Sequence, residues 1–131
     1  VDDASCKLAI QAKPQGKVFL VTDAMPPVGT DQTQFALYDR TVYVDNGKLT
    51  STTGELAGSS LDMASAVKNT HQRLGIELGE SIRMASLYPA QYLYQNQTVI
   101  RGELSPGKQA DMVVLNDDLS VKETWISGEK V

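Results

Sequence analysis

Apolar positions change their period several times along this chain, and each change marks an element. In "DASCKLAIQAK", Asp3 to Lys13, the residues Cys6, Leu8, Ala9 and Ile10 fit a short helix that "PQG" then breaks. "VFLVT", Val18 to Thr22, follows as a run without alternation, the pattern of a strand covered on both faces. A helix, a short turn and such a strand form the αβ half of a parallel α/β architecture.

Beyond "PPVGT" the texture changes. "FALYDRTVYVDNGKLT" predicts two short strands on either side of Asp39-Arg40 and a tight turn at Asn46-Gly47, an antiparallel ribbon rather than a barrel strand. Met63, Val67, Thr70 and Leu74 recur at helical spacing, with Ala64 and Ala66 beside them. Ser59 or Ser60 can cap that helix, and Gly75 ends it. "LGESIRMASLYPAQYLY" predicts a second helix with Ile82, Met84, Ala85 and Leu87 apolar, and Pro89 opening a further short helical turn. The tail returns to strands, "DMVVL" and "VKETWISG", separated by the polar "NDDLS".

Composition narrows the function classes. With 131 residues and 41% hydrophobic content, the chain can build one modest core. Its net charge of -4 argues against a nucleic-acid partner, since there is no basic footprint for a phosphate backbone. A single cysteine, Cys6, suits a reducing compartment. No apolar run approaches the roughly 20 residues that span a bilayer, so a cytoplasmic location without a membrane partner is the expectation. The start at "VDDASCK", without an initiator Met, suggests a piece of a longer protein.

Asp23 is the first candidate for chemistry. It follows the apolar run directly, and in parallel α/β folds ligands bind beyond the carboxyl ends of the strands. An acid there can do general acid/base work. It also fits a cap or turn former ahead of Pro26-Pro27. "GELAGSSLDM", Gly54 to Met63, places small residues before a helix, where backbone N–H groups can meet a polar ligand group. It lacks the spacing of a P-loop, and ordinary capping explains it as well.

His71 is the only histidine and stands late in a helical pattern, which favours a surface or helix-end role over metal binding. Cys6 has no catalytic companion. Tyr88, Tyr92 and Tyr94 fit core and rim packing as well as a stacking surface, and Trp125 fits an apolar seam beside the tail strands.

Together, "FLVTDAMPPVG", "GELAGSSLDMASAVKN", "IRMASLYPAQYL" and "GELSPGKQADMVVLNDDLSVKETWISGEKV" resemble the C-terminal part of the N-acetylglucosamine-6-phosphate deacetylase family, within the amidohydrolase superfamily. The last of these segments is common to many amidohydrolases; the other three, in this order, are far more specific.

The resemblance implies an α/β fold: the C-terminal portion of a metal-dependent (β/α)8 barrel plus part of a small β-domain, incomplete on its own. Residues 1–99 would hold the last barrel strand, its flanking helices and the ribbon, and residues 100–131 the C-terminal part of the β-domain. The implied reaction is deacetylation of N-acetyl-D-glucosamine 6-phosphate, with Asp23 as catalytic acid/base. Leu56, Ala57 and Gly58 would border the amino-sugar phosphate.

A divalent metal ion, zinc or iron, is implied for the intact enzyme, with its glutamate and histidine ligands upstream of this chain. The missing N-terminal barrel portion and a second copy, in a homo-oligomer, are the implied protein partners, and the fragment alone is expected to be inactive. Two alternatives stand beside this: another amidohydrolase substrate, and a non-enzymatic α+β interaction module.

Overall fold

Helix α1, Asp3–Gln11, begins at an aspartate cap: the Asp2 carboxylate accepts the backbone N–H of Ser5 at 3.0 Å and its hydroxyl at 2.7 Å. The computed structural model in which this is seen describes residues 2–95, 98 and 100–131. The chain divides into two compact units, one of Val21–Met63 and one of Val1–Leu20 with Ala64–Val131.

The Val21–Met63 unit is built on a four-stranded antiparallel sheet in the order β1 (Gln34–Leu37), β2 (Arg40–Asp45), β3 (Lys48–Ser51) and β4 (Leu56–Ser59). Register explains its core. Phe35 lies opposite Val42, Val42 opposite Ser51, and Val44 opposite Leu49, which puts these side chains on one face. Val42, Leu49 and Ser51 on that face are buried, whereas Gln34, Tyr43, Asp45 and Lys48 on the other are exposed. The sequence's alternation is thus a sheet with one dry and one wet side. The turn at Asn46-Gly47 has both residues in the left-handed region, at φ 48° and 77°, as a two-residue hairpin loop requires. The ribbon is as the sequence predicts.

In the other unit from Ala64 onward, helix α2 (Met63–Gln72) buries Ala66, Val67 and Thr70 and closes at Gly75, whose N–H reaches the carbonyl of His71 at 3.1 Å. Helix α3 (Leu78–Ala85) starts where the Glu77 carboxylate accepts the N–H groups of Gly79 and Glu80, at 2.8 and 2.9 Å. Ser86 breaks the helical path at φ −130°, and α4 (Leu87–Leu93) resumes it. Pro89 stands in the first turn of α4, where its missing N–H leaves no helical bond unmade. Met84, Ser81 and Tyr88 are buried here.

A three-stranded antiparallel sheet, β5 (Met112–Leu115), β6 (Val121–Ile126) and β7 (Glu129–Lys130), completes this unit. The turn at "NDDLS" is held by Asp118, which accepts the Ser120 N–H at 3.0 Å and its hydroxyl at 2.6 Å.

One prediction is corrected. "VFLVT" is extended chain but not a ladder strand: among the described residues, Leu20 alone in this run donates its backbone N–H to a backbone carbonyl, that of Met84 at 2.9 Å. A strand is defined by its neighbours, and apolar composition without them leaves only an extended segment. Val21 is 72% exposed in consequence. A second difference is β4, a strand where the sequence suggested only a cap and an anion-binding start. The expected domain boundary after residue 99 falls on a residue outside the described set.

Candidate active site

Asp23 turns the chain sharply at the end of that extended segment. Its backbone is left-handed, φ 52°, a conformation that aspartate and asparagine enter more readily than most residues. What holds it there is β4. Ser59 donates its N–H to the Asp23 carbonyl at 3.0 Å, and the Ser59 carbonyl accepts the N–H of Met25 at 3.0 Å. These two bonds make a parallel bridge between Ala24 and Ser59.

The bridge brings together all four sequence-predicted site residues. Leu56, Ala57 and Gly58 lie on β4 immediately before Ser59, and Asp23 lies immediately before Ala24. Leu56 is exposed, Ala57 and Gly58 are half-buried, and Asp23 is exposed. Among the described residues the Asp23 carboxylate accepts no hydrogen bond, so its oxygens are available to a reacting group.

Two closed turns stiffen the stretch after Asp23. Val28 donates its N–H to the Met25 carbonyl at 3.0 Å, and Thr30 bonds the Pro27 carbonyl through both N–H (3.0 Å) and hydroxyl (2.9 Å). On the other arm, the Ser59 hydroxyl accepts the N–H of Leu61 at 2.8 Å, and the Ser60 hydroxyl donates to the Gly47 carbonyl at 2.8 Å. Neither serine's bond is the simple helix cap that the sequence suggests.

Met25 and Ser59 were not singled out from sequence as site residues. Ser59 acts through its main chain, which no residue-type signal reveals. Met25 reads as one more apolar residue, and only the fold brings it against Gly58. A Cβ on Gly58 would overlap Met25 Cγ and lie 2.8 Å from its Sδ and 3.3 Å from the Asp23 carbonyl oxygen.

The remaining candidates separate from this site. His71 Nδ1 lies 2.8 Å from the Ile76 carbonyl and so donates to it, closing the end of α2. Cys6 is a half-buried free thiol on α1. Tyr92 meets Phe19 with ring centroids 5.3 Å apart, and the Trp125 indole donates to Glu123 at 3.2 Å.

Tyr88 belongs to a different polar cluster. Glu80 Oε2 accepts from Gln15 (2.9 Å), Tyr88 (2.8 Å) and both Nε and Nη2 of Arg83 (3.0 and 2.9 Å). Burial pushes the Glu80 carboxyl up, but the donors Gln15, Tyr88 and Arg83, with the Arg83 charge, outweigh it and hold the carboxyl below its ordinary range. A cavity of about 360 Å³ opens beside this cluster, lined by Lys13, Gln15, Glu80, Arg83 and Met84 among others. Gln15, Tyr88 and Arg83 all converge on one Glu80 oxygen within the protein, which marks the cluster as a structural knot.

Among the described residues, no three His, Cys, Asp or Glu side chains group so as to hold a metal ion, and no helix is long and apolar enough to cross a membrane.

Comparison with known proteins bears on this geometry. The model of the amidohydrolase family matches residues 7–131. An N-acetylgalactosamine-6-phosphate deacetylase of Shewanella sp. (strain ANA-3) is 42% identical over 129 residues, which are 98% of this chain and 32% of that protein. The crystal structure of N-acetylglucosamine-6-phosphate deacetylase from Pasteurella multocida superposes with a TM-score of 0.92 at 34% identity, covering 100% of this chain and 34% of that one. A mutant N-acetyl-D-glucosamine-6-phosphate deacetylase from Mycobacterium smegmatis, in complex with N-acetyl-D-glucosamine-6-phosphate, gives a TM-score of 0.87 at 25% identity, over 99% of this chain and 34% of that one. The chain thus spans about a third of the length of the proteins it matches.

Proposed function

This chain belongs to the amidohydrolase family, and we propose that it supplies the acid/base aspartate and a substrate-bordering strand to a deacetylase of N-acetyl-D-glucosamine 6-phosphate. The observation that carries this reading is the parallel bridge at Ala24 and Ser59, which puts the free carboxylate of Asp23 beside the Leu56–Gly58 segment.

Hydrolysis of an acetamide adds water to the carbonyl carbon and breaks the C–N bond. The water loses a proton as it attacks, and the departing nitrogen needs one. Asp23, starting as a carboxylate, takes the first proton and returns it to the nitrogen, releasing acetate and the amino-sugar phosphate. Leu56, Ala57 and Gly58 border the substrate and orient it, which contributes by proximity rather than by proton transfer.

The described residues do not form a metal centre by themselves. The divalent ion that the resemblance implies, zinc or iron, takes its ligands from outside this chain. In the intact enzyme, which we place in the cytoplasm as a homo-oligomer, residues 1–99 close a (β/α)8 barrel and residues 100–131 join a small β-domain. The separate ladder of β5, β6 and β7 supports the second assignment.

A second reading has its own observation. The Shewanella relative, at 42% identity, is a deacetylase of the galactosamine epimer. The two readings differ only in the configuration at one sugar carbon.

The test is acetate release by the intact protein containing this chain, offered each epimer with and without a chelator. Faster, chelator-sensitive release from the glucosamine substrate is expected. Preference for the galactosamine epimer would select the second reading, and release from neither would end both. The 131-residue chain alone is expected to release no acetate.

A further inference from the structure

We propose that Met25 is a positioning residue of the Asp23 site, setting how closely β4 approaches the turn that carries the carboxylate. This rests on the acid/base reading of Asp23.

The contact is a complementary pair of shapes. Gly58 has φ 85°, and the space where its Cβ would stand is filled by Met25 Cγ, with Sδ 2.8 Å and the Asp23 carbonyl oxygen 3.3 Å from that point. Main-chain bonds of ordinary length close both sides of the contact: Ser59 N–H to the Asp23 carbonyl at 3.0 Å and Met25 N–H to the Ser59 carbonyl at 3.0 Å. A larger residue at position 58 must therefore push Met25 aside or lengthen those bonds. A smaller residue at position 25 leaves β4 without a stop.

Three features make this a control of geometry rather than general packing. Met25 is two residues from the carboxylate, on the same tight turn. Gly58 ends the segment assigned to the substrate. The Asp23 carbonyl is itself one of the three atoms nearest the missing Cβ, so a change at position 58 acts on the Asp23 peptide directly. Close packing transmits such displacements instead of absorbing them. Misplacement of a reacting group by about 1 Å can cost about 10²-fold in rate. The thioether suits the task, being long enough to fill the gap and flexible enough to follow the turn.

The intact deacetylase tests this with Met25→Ala, Met25→Leu, Gly58→Ala and the double variant, with kcat expressed per folded molecule and metal content measured. Met25→Ala is expected to lower kcat about tenfold with KM within about threefold, and Met25→Leu to restore kcat. Gly58→Ala is expected to lose about 10²-fold in kcat, and adding Met25→Ala to recover about tenfold of that loss, the rest reflecting the left-handed backbone. A role confined to stability would change the folded fraction and leave kcat per folded molecule alone.

Asp23→Asn separates the acid/base role from the positioning role. If it abolishes activity while Met25→Ala fails to suppress Gly58→Ala, the positioning role is overturned and the acid/base reading stands. If Asp23→Asn is fully active, the acid/base reading falls and the positioning role falls with it.

Discussion

The carbonyl of Asp23 accepts the backbone N–H of Ser59 at 3.0 Å. Main chain, not side chain, fixes this residue, and the carboxylate is left for other work. Asn can adopt the same left-handed backbone, so Asp23→Asn removes the proposed proton acceptor while keeping the turn. In the intact enzyme kcat is expected to fall by about 10²–10⁴-fold with a smaller change in KM. The control is metal content. Near-normal kcat across the pH profile at full metal occupancy would show that Asp23 is only a turn former.

The knot around Glu80 gives a pH prediction. A carboxyl held below its ordinary range in the folded protein contributes stability above its unfolded pKa, about 4.3, and loses it as pH falls through the folded value. Replacing Glu80 with Gln should therefore cost about 1–3 kcal/mol at neutral pH. The gap from wild type should narrow as the medium is acidified below about pH 4.3. Urea midpoints of both proteins across this range provide the check. A gap that stays constant would mean the charge on Glu80 is not what the donors hold.

Gly102 faces backbone. Its φ is 92°, and a Cβ there would lie 2.9 Å from the Ser86 carbonyl oxygen and 3.0 Å from both Leu87 Cα and Ala90 Cβ. Two of those atoms belong to the main chain at the start of α4 and cannot rotate away. Gly102→Ala should destabilise the intact protein by about 1–3 kcal/mol, seen as a lower thermal midpoint. An unchanged midpoint would mean that the Ser86–Leu87 break has slack.

The sheet of the Val21–Met63 unit has one face in its core and one in water. Leu49 is fully buried, while Tyr43, on the adjacent strand, is 44% exposed. Leu49→Ala should cost about 2–5 kcal/mol and Tyr43→Ala clearly less. Equal costs would show that the register, or the assignment of the buried face, is wrong.

Sequence alone reached this ribbon because its signals are local. Phe35, Val42, Val44 and Leu49 alternate with polar neighbours, and Asn46-Gly47 has the chemistry its turn demands. Helix α1 and the helix-end role of His71 were legible for the same reason. The strand expected at "VFLVT" is only extended chain, because the pairing that defines a strand lies outside any local window. Strand β4 escaped for a different cause: Leu56, Ala57, Gly58 and Ser59 have little strand propensity, and their pairing to β3 and to Ala24 makes the strand. Asp23 was singled out by its place after an apolar run. Its partner Met25, two residues on, looked like filler until the fold set it over Gly58.

The extended segment from Val18 to Thr22 carries a consequence for solvent access over time. Among the described residues, Leu20 alone in this run has its amide bonded to a backbone carbonyl, so the isolated chain should exchange the amide protons of Val18, Phe19 and Val21 for deuterium almost at once. In the barrel proposed for the intact protein the same amides would sit in ladders and exchange only through large opening events. Deuterium uptake at these few positions thus reports whether the remainder of the protein has assembled around the segment, independently of any catalytic assay.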